Sequence, residues 1–224
     1  MEGRALKRAA AWSFSRLKCF ETCPKQTKYK ADKTPEIIGP AMERGSSIHK
    51  DAELFLVGQY KEVPATLQSF ARYFRDIKRK KASAEEQVAL TSAWKRTQWF
   101  APDAWLRVVI DARVQTMESS ATLIDFKTGR RYIDHIDQLE LYALVFFALQ
   151  TKLATAEGEL WYLDQGEIDD AIFSRDELPA LQEKWSARAQ PMLTATEFPA
   201  KPGKACRWCG FAGSRGGPCK DEAR

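Results

Sequence analysis

The chain has 224 residues, enough to bury one sizeable core, and its 44% hydrophobic and 11% aromatic content is ordinary for a globular protein. A net charge of +5 suits a polyanionic partner without demanding one. The longest apolar run, 141–149, is too short to span a bilayer, and the basic segment 1–11 has no signal-like apolar stretch, so a soluble cytoplasmic protein of a bacterium or phage-infected cell is expected. In chain order, Ser13 and Ser15 can cap a helix over 16–30, which Pro24 bends or divides. A second helix is expected over 41–57, with Ile48, Ala52 and Phe55 at helical spacing and Gly58 closing it. A third covers 66–81, with Leu67, Phe70, Phe74 and Ile77 on one face and a cationic end that reads as solvated. The pattern then changes to strands over 86–97, 105–116 and 121–128, an antiparallel meander with turn signals at Pro102-Asp103 and Glu118-Ser119-Ser120. Residues 137–150 are apolar almost all round and predict a buried helix. Strands over 157–162 and 168–173 and an amphipathic helix over 175–193 follow. The tail from Phe198, rich in Pro, Gly and Cys, would not hold a shape unaided.

Chemistry concentrates in Ile124-Asp125-Phe126-Lys127. Strand alternation sends Asp125 and Lys127 to one face and Phe126 to the core. If 108–116 and 122–127 are neighbouring strands, Asp111 sits beside Asp125. Two carboxylates and an ammonium at a sheet edge form a site for a hard divalent cation and a phosphate. Alone, Asp-x-Lys is more often a solvated face. Here the apolar runs Val108-Val109-Ile110 and Leu123-Ile124 each deliver an acid, and a buried carboxylate needs a cation nearby. Gln138 and Tyr142, four apart, share a helical face, and His49 ends Gly45-Ser46-Ser47-Ile48-His49. Each of these alone also fits simple packing. Of the five cysteines, Cys19 and Cys23 lie near the start, whereas Cys206, Cys209 and Cys219 lie near the end. That clustering, with a C-x2-C pair, points to metal binding and not to disulfides.

The ordered set Gly-x-x-x-His, Asp, Asp-x-Lys and Gln-x-x-x-Tyr resembles the RecB-like branch of the PD-(D/E)xK nuclease superfamily, over about 13–219. The resemblance implies an α/β fold with a restriction-endonuclease-like core, a central mixed sheet flanked by helices, and termini joined by a cysteine metal or cluster site. It implies one domain over 1–224, with a helical part at 13–81, a catalytic core at 86–193 and a Cys-rich segment at 198–224 that pairs with Cys23. The implied activity is that of a metal-dependent DNA nuclease, an exonuclease on single-stranded or frayed ends in recombination, repair or DNA processing. The alternative is a non-catalytic or partner-activated DNA-binding or assembly module. By resemblance, His49, Asp111, Asp125 and the Phe126 carbonyl hold Mg2+ or Mn2+, and a histidine among carboxylates favours Mn2+. Lys127 would orient or activate water and stabilise developing charge, while Gln138 and Tyr142 would position the DNA backbone or the lysine.

Members such as the CRISPR-adaptation nucleases and AddB-type helicase-nuclease subunits carry a 4Fe–4S cluster, which implies Cys23, Cys206, Cys209 and Cys219 as its ligands. Four thiolates also suit zinc, and Cys19 is an alternative ligand. The Cys209–Cys219 spacing is longer than is usual for the branch, and Val108 stands where glycine is common. No helicase motif is present, so unwinding would come from a helicase, recombination or CRISPR-adaptation partner. Arg130 and Arg131 follow the triplet as phosphate-binding candidates. Trp12, Tyr29, Trp99 and Trp208 lie scattered among basic residues, and Trp208 could stack a base or cover the cluster.

Overall fold

In the computed structural model, residues 11–221 are described; the basic segment 1–10 and residues 222–224 lie outside the described residues. Six strands form one mixed sheet in the order β2-β1-β3-β4-β5-β6. They are β1 (Ser83–Leu90), β2 (Arg96–Thr97), β3 (Leu106–Met117), β4 (Ser120–Lys127), β5 (Thr155–Tyr162) and β6 (Glu167–Ser174). Every neighbouring pair is antiparallel except β4 and β5. Parallel neighbours need a long crossover, which α5 (Ile136–Leu149) supplies. Its all-round apolar sequence matches that role, since Leu139 and every residue from Leu141 to Phe147 are buried.

The strand expected over 86–97 is instead two strands. Trp94 takes a left-handed φ of 58°, Thr91 N–H donates to the Lys95 carbonyl at 2.9 Å, and the chain turns back as β2. Pro24 divides the first expected helix into α1 (Phe14–Thr22) and α2 (Pro24–Ala31), with extended Cys23 between them. Proline is cheap at the first turn of α2, where its missing N–H would have had no helical partner. Helix α3 (Pro40–Leu56) matches expectation. The helix expected over 66–81 begins as a 3-10 turn, Ala65–Phe70, before α4 (Ala71–Arg79). A capping box between Ser174 and Glu177 precedes α6 (Leu178–Thr194).

Two helical layers sandwich the sheet. One core joins Ile48, Phe55, Phe70 and Phe74 to Ile124, Phe126 and Trp161. The other joins Leu17, residues of α5 and Trp185 to Leu106, Leu123 and Leu160. The alternation of β1 and β3 inverts between these layers. Val88, Val108 and Ile110 belong to the α5–α6 core, but Ala112 and Val114 belong to the α3–α4 core. The inversion coincides with one missing rung of the ladder, where Glu85 would face Asp111 and takes a left-handed φ of 49°.

The tail is shaped by docking. Ile37 N–H donates to the Gly210 carbonyl at 2.9 Å, and the Tyr29 and Phe211 rings lie 5.2 Å apart. Gly217 passes so close that a Cβ there would come within 2.3 Å of the Phe211 backbone. Among the described residues, no helix is long and apolar enough to cross a membrane.

Candidate active site

The β3–β4 ladder ends at Ala112 and Ile124, and the next position in register sets Asp111 against Asp125 with no backbone pairing. Side chains take over the backbone groups at this fork. Phe126 N–H donates to Asp111 Oδ2 at 2.7 Å, and the Tyr142 hydroxyl donates to the Val109 carbonyl at 2.8 Å. Both carboxylates are buried, Asp125 with 1% exposure and Asp111 with 8%. Two acids are thus held in the wedge where the sheet splits.

Asp125, Lys127, Gln138 and Tyr142 form a closed ring of polar contacts. Lys127 Nζ lies 2.6 Å from Asp125 Oδ2 and donates to Gln138 Oε1 at 2.7 Å. Gln138 Nε2 donates to the Tyr142 hydroxyl at 2.7 Å, and that hydroxyl lies 3.1 Å from Asp125 Oδ1. Burial pushes the Asp125 carboxyl up to about 6, against the pull of Lys127. Burial first, then the nearby carboxylates of Asp125 and Asp111, holds the Tyr142 hydroxyl well above its usual range. Asp125 Oδ2 has Lys127 as an ion-pair partner but accepts no hydrogen bond of good geometry. A buried carboxylate oxygen in that state suits a cation.

His49 arrives from α3. A Cβ on Gly45 would lie 3.1 Å from Thr128 Oγ1, so the glycine lets α3 approach the end of β4 closely. Arg44 fixes the same loop through Asp164, which also accepts from Gly129 N–H at 2.7 Å. His49 Nδ1 lies 3.4 Å from Asp111 Oδ2. Burial lowers the His49 pKa, but the hydrogen bond and charge of Asp111 outweigh it and the net shift is upward.

Among the described residues, one group of three metal-ligating side chains converges: His49, Glu85 and Asp111, whose ligand atoms all lie within 4.8 Å of one another. A nitrogen and two carboxylates can hold a divalent cation. Sequence reasoning missed Glu85 because the expected strand began at 86, beyond the Ala84-Glu85 step. Its own burial, then Asp111, raises the Glu85 carboxyl to about 6. The ligand set expected from sequence was His49, Asp111, Asp125 and the Phe126 carbonyl. The structure brings Glu85, not Asp125, into mutual reach of His49 and Asp111, and ties Asp125 to Lys127 and Tyr142. His135, the other histidine, bonds the Tyr162 hydroxyl at 3.1 Å, and burial with the Lys127 charge pushes it down to about 4.

His49, Glu85, Asp111, Asp125, Lys127, Gln138 and Tyr142 line one open cleft of about 840 Å3, together with Phe126, Trp99 and Arg107. The family model of the PD-(D/E)XK nuclease superfamily matches residues 11–214. The chain belongs to that superfamily. PD-(D/E)XK nucleases use divalent metal ions, and His49, Glu85 and Asp111 form a candidate acidic site for one. Among solved structures, the chain is similar to the one described as "Crystal structure of SSO0001", with a TM-score of 0.48 and 14% identity over 98% of this chain and 90% of that chain. No curated protein matches.

Outside the cleft the expected residues divide. Arg130 is exposed. Arg131 pairs with Glu167 and Asp169 and lies over the Tyr162 ring, with its side chain still half exposed. Cys23, Cys206, Cys209 and Cys219 line one small cavity beneath the tail. Backbone N–H groups of Lys201 and Gly203 point at Cys23 and Cys206 sulfurs, at 3.4 and 3.5 Å. Burial, then the three neighbouring thiols, raises the Cys209 pKa. Cys19 lines a different cavity and bonds Thr27. Trp208, 76% exposed, does not line the cysteine cavity.

The raised carboxyls carry a pH signature. Asp125 and Glu85 keep their protons to about pH 6 when folded but ionise at lower pH when unfolded. Without metal, their contribution to stability is therefore full at low pH and is lost as pH rises through about 6. Raised His49 has the same sign. Cation binding displaces these protons, so Mn2+ is expected to raise Tm more near pH 7.5 than near pH 5. Thermal scans at both values check this, and equal shifts would contradict it.

Proposed function

We propose that this chain is a metal-dependent DNA nuclease, working as one domain, that removes nucleotides from single-stranded or frayed DNA ends. The observation that supports it most is the closed contact ring of Asp125, Lys127, Gln138 and Tyr142 beside His49, Glu85 and Asp111, all in one open cleft. A bound Mg2+ or Mn2+ would supply charge to a phosphoryl oxygen and acidify a coordinated water. His49, Glu85 and Asp111 are the ligands proposed, with Asp125 completing the acidic wall. The imidazole among them favours Mn2+. Lys127 holds its ammonium at the mouth of the fork, where it can orient water and stabilise charge growing on the attacked phosphate. Gln138 and Tyr142 fix the lysine and Asp125 in register, so neither has to reorganise when substrate arrives.

Glu85 tests the ligand assignment. Glu85→Gln is expected to weaken Mn2+ binding by about 10- to 100-fold, measured by calorimetry. Glu85→Gly relieves a left-handed backbone and is expected to gain about 1 kcal/mol of stability while losing the metal. A Glu85→Gly protein that binds Mn2+ normally would remove Glu85 from the site.

The four cysteines are proposed to hold a 4Fe–4S cluster that staples the tail to α2. Tetrahedral zinc, with Zn–S near 2.3 Å, would draw four sulfurs within about 4 Å of one another. A 4Fe–4S cluster would hold them farther apart, and iron and zinc analysis of anaerobically purified protein tells the two apart. A helicase or recombination partner and a role in recombination, repair or CRISPR adaptation belong to the same proposal.

The product ladder from end-labelled single-stranded and blunt duplex DNA tests the activity. Stepwise shortening from one end, faster on single strands and absent in EDTA, is expected. Internal cuts would replace the exonuclease assignment. DNA binding without cutting in any divalent metal would favour the assembly-module alternative.

A further inference from the structure

The segment between β2 and β3 projects aromatic rings at the mouth of the cleft. Phe100 is 84% exposed, unusual for a large apolar ring on a segment so well tied down. Thr97 Oγ1 donates to Asp103 Oδ1 at 2.7 Å, Ala101 N–H to the Gln98 carbonyl at 3.0 Å and Trp105 N–H to the Leu90 carbonyl at 2.8 Å. Beneath it, Trp105 packs edge-on against Trp94 and Trp12, with ring centres 5.2 and 5.3 Å away. The Arg107 guanidinium lies 5.6 Å from the ring centres of both Trp99 and Phe100. Its buried Nε has no hydrogen-bond partner. Trp99 and Arg107 line the same cleft as Asp111, Asp125 and Lys127. Arg107 precedes Asp111 by four strand residues, about 13 Å along β3.

We propose that Trp99, Phe100 and Arg107 form a stacking platform for unpaired bases of the DNA strand whose backbone enters the fork. Aromatic rings accept any base face, and an adjoining guanidinium adds stacking and attraction for phosphate. A base stacked between its neighbours inside a duplex offers no free face to such a platform, so the platform favours single strands and frayed ends. Its continuity with the cleft and its cationic edge favour nucleic acid over a protein partner. The span of about 13 Å corresponds to about four stacked nucleotides at ~3.4 Å per step. This inference rests on the nuclease reading of the cleft and adds the residues that choose the strand.

Binding of a short 3′-fluorescein oligothymidylate by the full chain, followed by anisotropy in EDTA at low salt, separates the two. Phe100→Ala and Trp99→Ala are each expected to weaken binding by about tenfold or more, with Phe100→Trp close to wild type. An abasic scan of the oligonucleotide should show a loss of affinity at one or two positions for wild type and a smaller loss for Phe100→Ala, which keeps Trp99. Phe100 is so exposed that its removal cannot unfold the core, which keeps the test decisive if Trp99→Ala misfolds. Unchanged affinity in Phe100→Ala, with wild type binding DNA and cutting it in Mn2+, would overturn the platform and leave the nuclease reading standing. Weakened binding in the variants, with no cutting by wild type in any metal, would keep the platform and overturn the nuclease reading. No DNA binding by wild type would overturn both.

Discussion

Lys127→Ala is expected to slow Mn2+-dependent DNA cleavage by at least about a thousandfold while leaving Mn2+ affinity close to wild type. The separation follows from geometry. Lys127 touches Asp125 and Gln138 but is not a ligand of the His49, Glu85 and Asp111 group. Its removal takes away the ammonium in contact with the buried Asp125 carboxyl, whose pKa then rises further because burial is less opposed. Lys127→Arg should not rescue the rate, since a planar fork replaces a compact ammonium between two fixed partners. Single-turnover cleavage with a parallel calorimetric metal titration checks this. Equal loss of metal binding and rate would mean that the lysine acts by shaping the cation site.

Cys209→Ala is expected to remove the iron–sulfur absorbance of anaerobically purified protein and release the tail, with a fall in Tm of several degrees or more. Little apolar packing would remain to hold residues 198–221. Phe211 is buried against Tyr29, but most of the segment is exposed or half-buried, and its backbone is fixed by few bonds to the rest of the chain. A bound cluster would contribute its ligation energy to folding directly. Cys19→Ala serves as the control, because that thiol lines another cavity, and it should leave the absorbance intact. Zinc with no iron in wild type would reassign the site while keeping its structural role.

The sequence was most readable where function and local geometry share a period. Asp125 and Lys127 project to one side because a strand repeats every two residues, and Gln138 meets Tyr142 because a helix brings every fourth residue round. His49 was marked by the glycine four residues earlier, and Gly45 does permit a close approach. What escaped was non-local. Glu85 enters the site through a left-handed step opposite Asp111 that inverts both strands, and no alternation pattern announces such an inversion. The partners of Arg131 were hidden too, because Glu167 and Asp169 lie 36 and 38 residues away in sequence and are brought to it by the β5–β6 hairpin. The hairpin around Trp94 was hidden for a related reason, since its left-handed tryptophan packs on Trp105, which belongs to a later part of the chain.

Cleavage of 5′-labelled single-stranded DNA by wild type and Asp111→Asn, each with Mn2+ and with EDTA, addresses the fork most directly. Asp111 is the residue that touches both His49 and the Phe126 backbone, and asparagine retains its shape without its charge. Wild type should cut with Mn2+ and not with EDTA, and Asp111→Asn, folded by its Tm, should not cut in either. Cutting that survives EDTA or persists in Asp111→Asn would place the chemistry outside the fork.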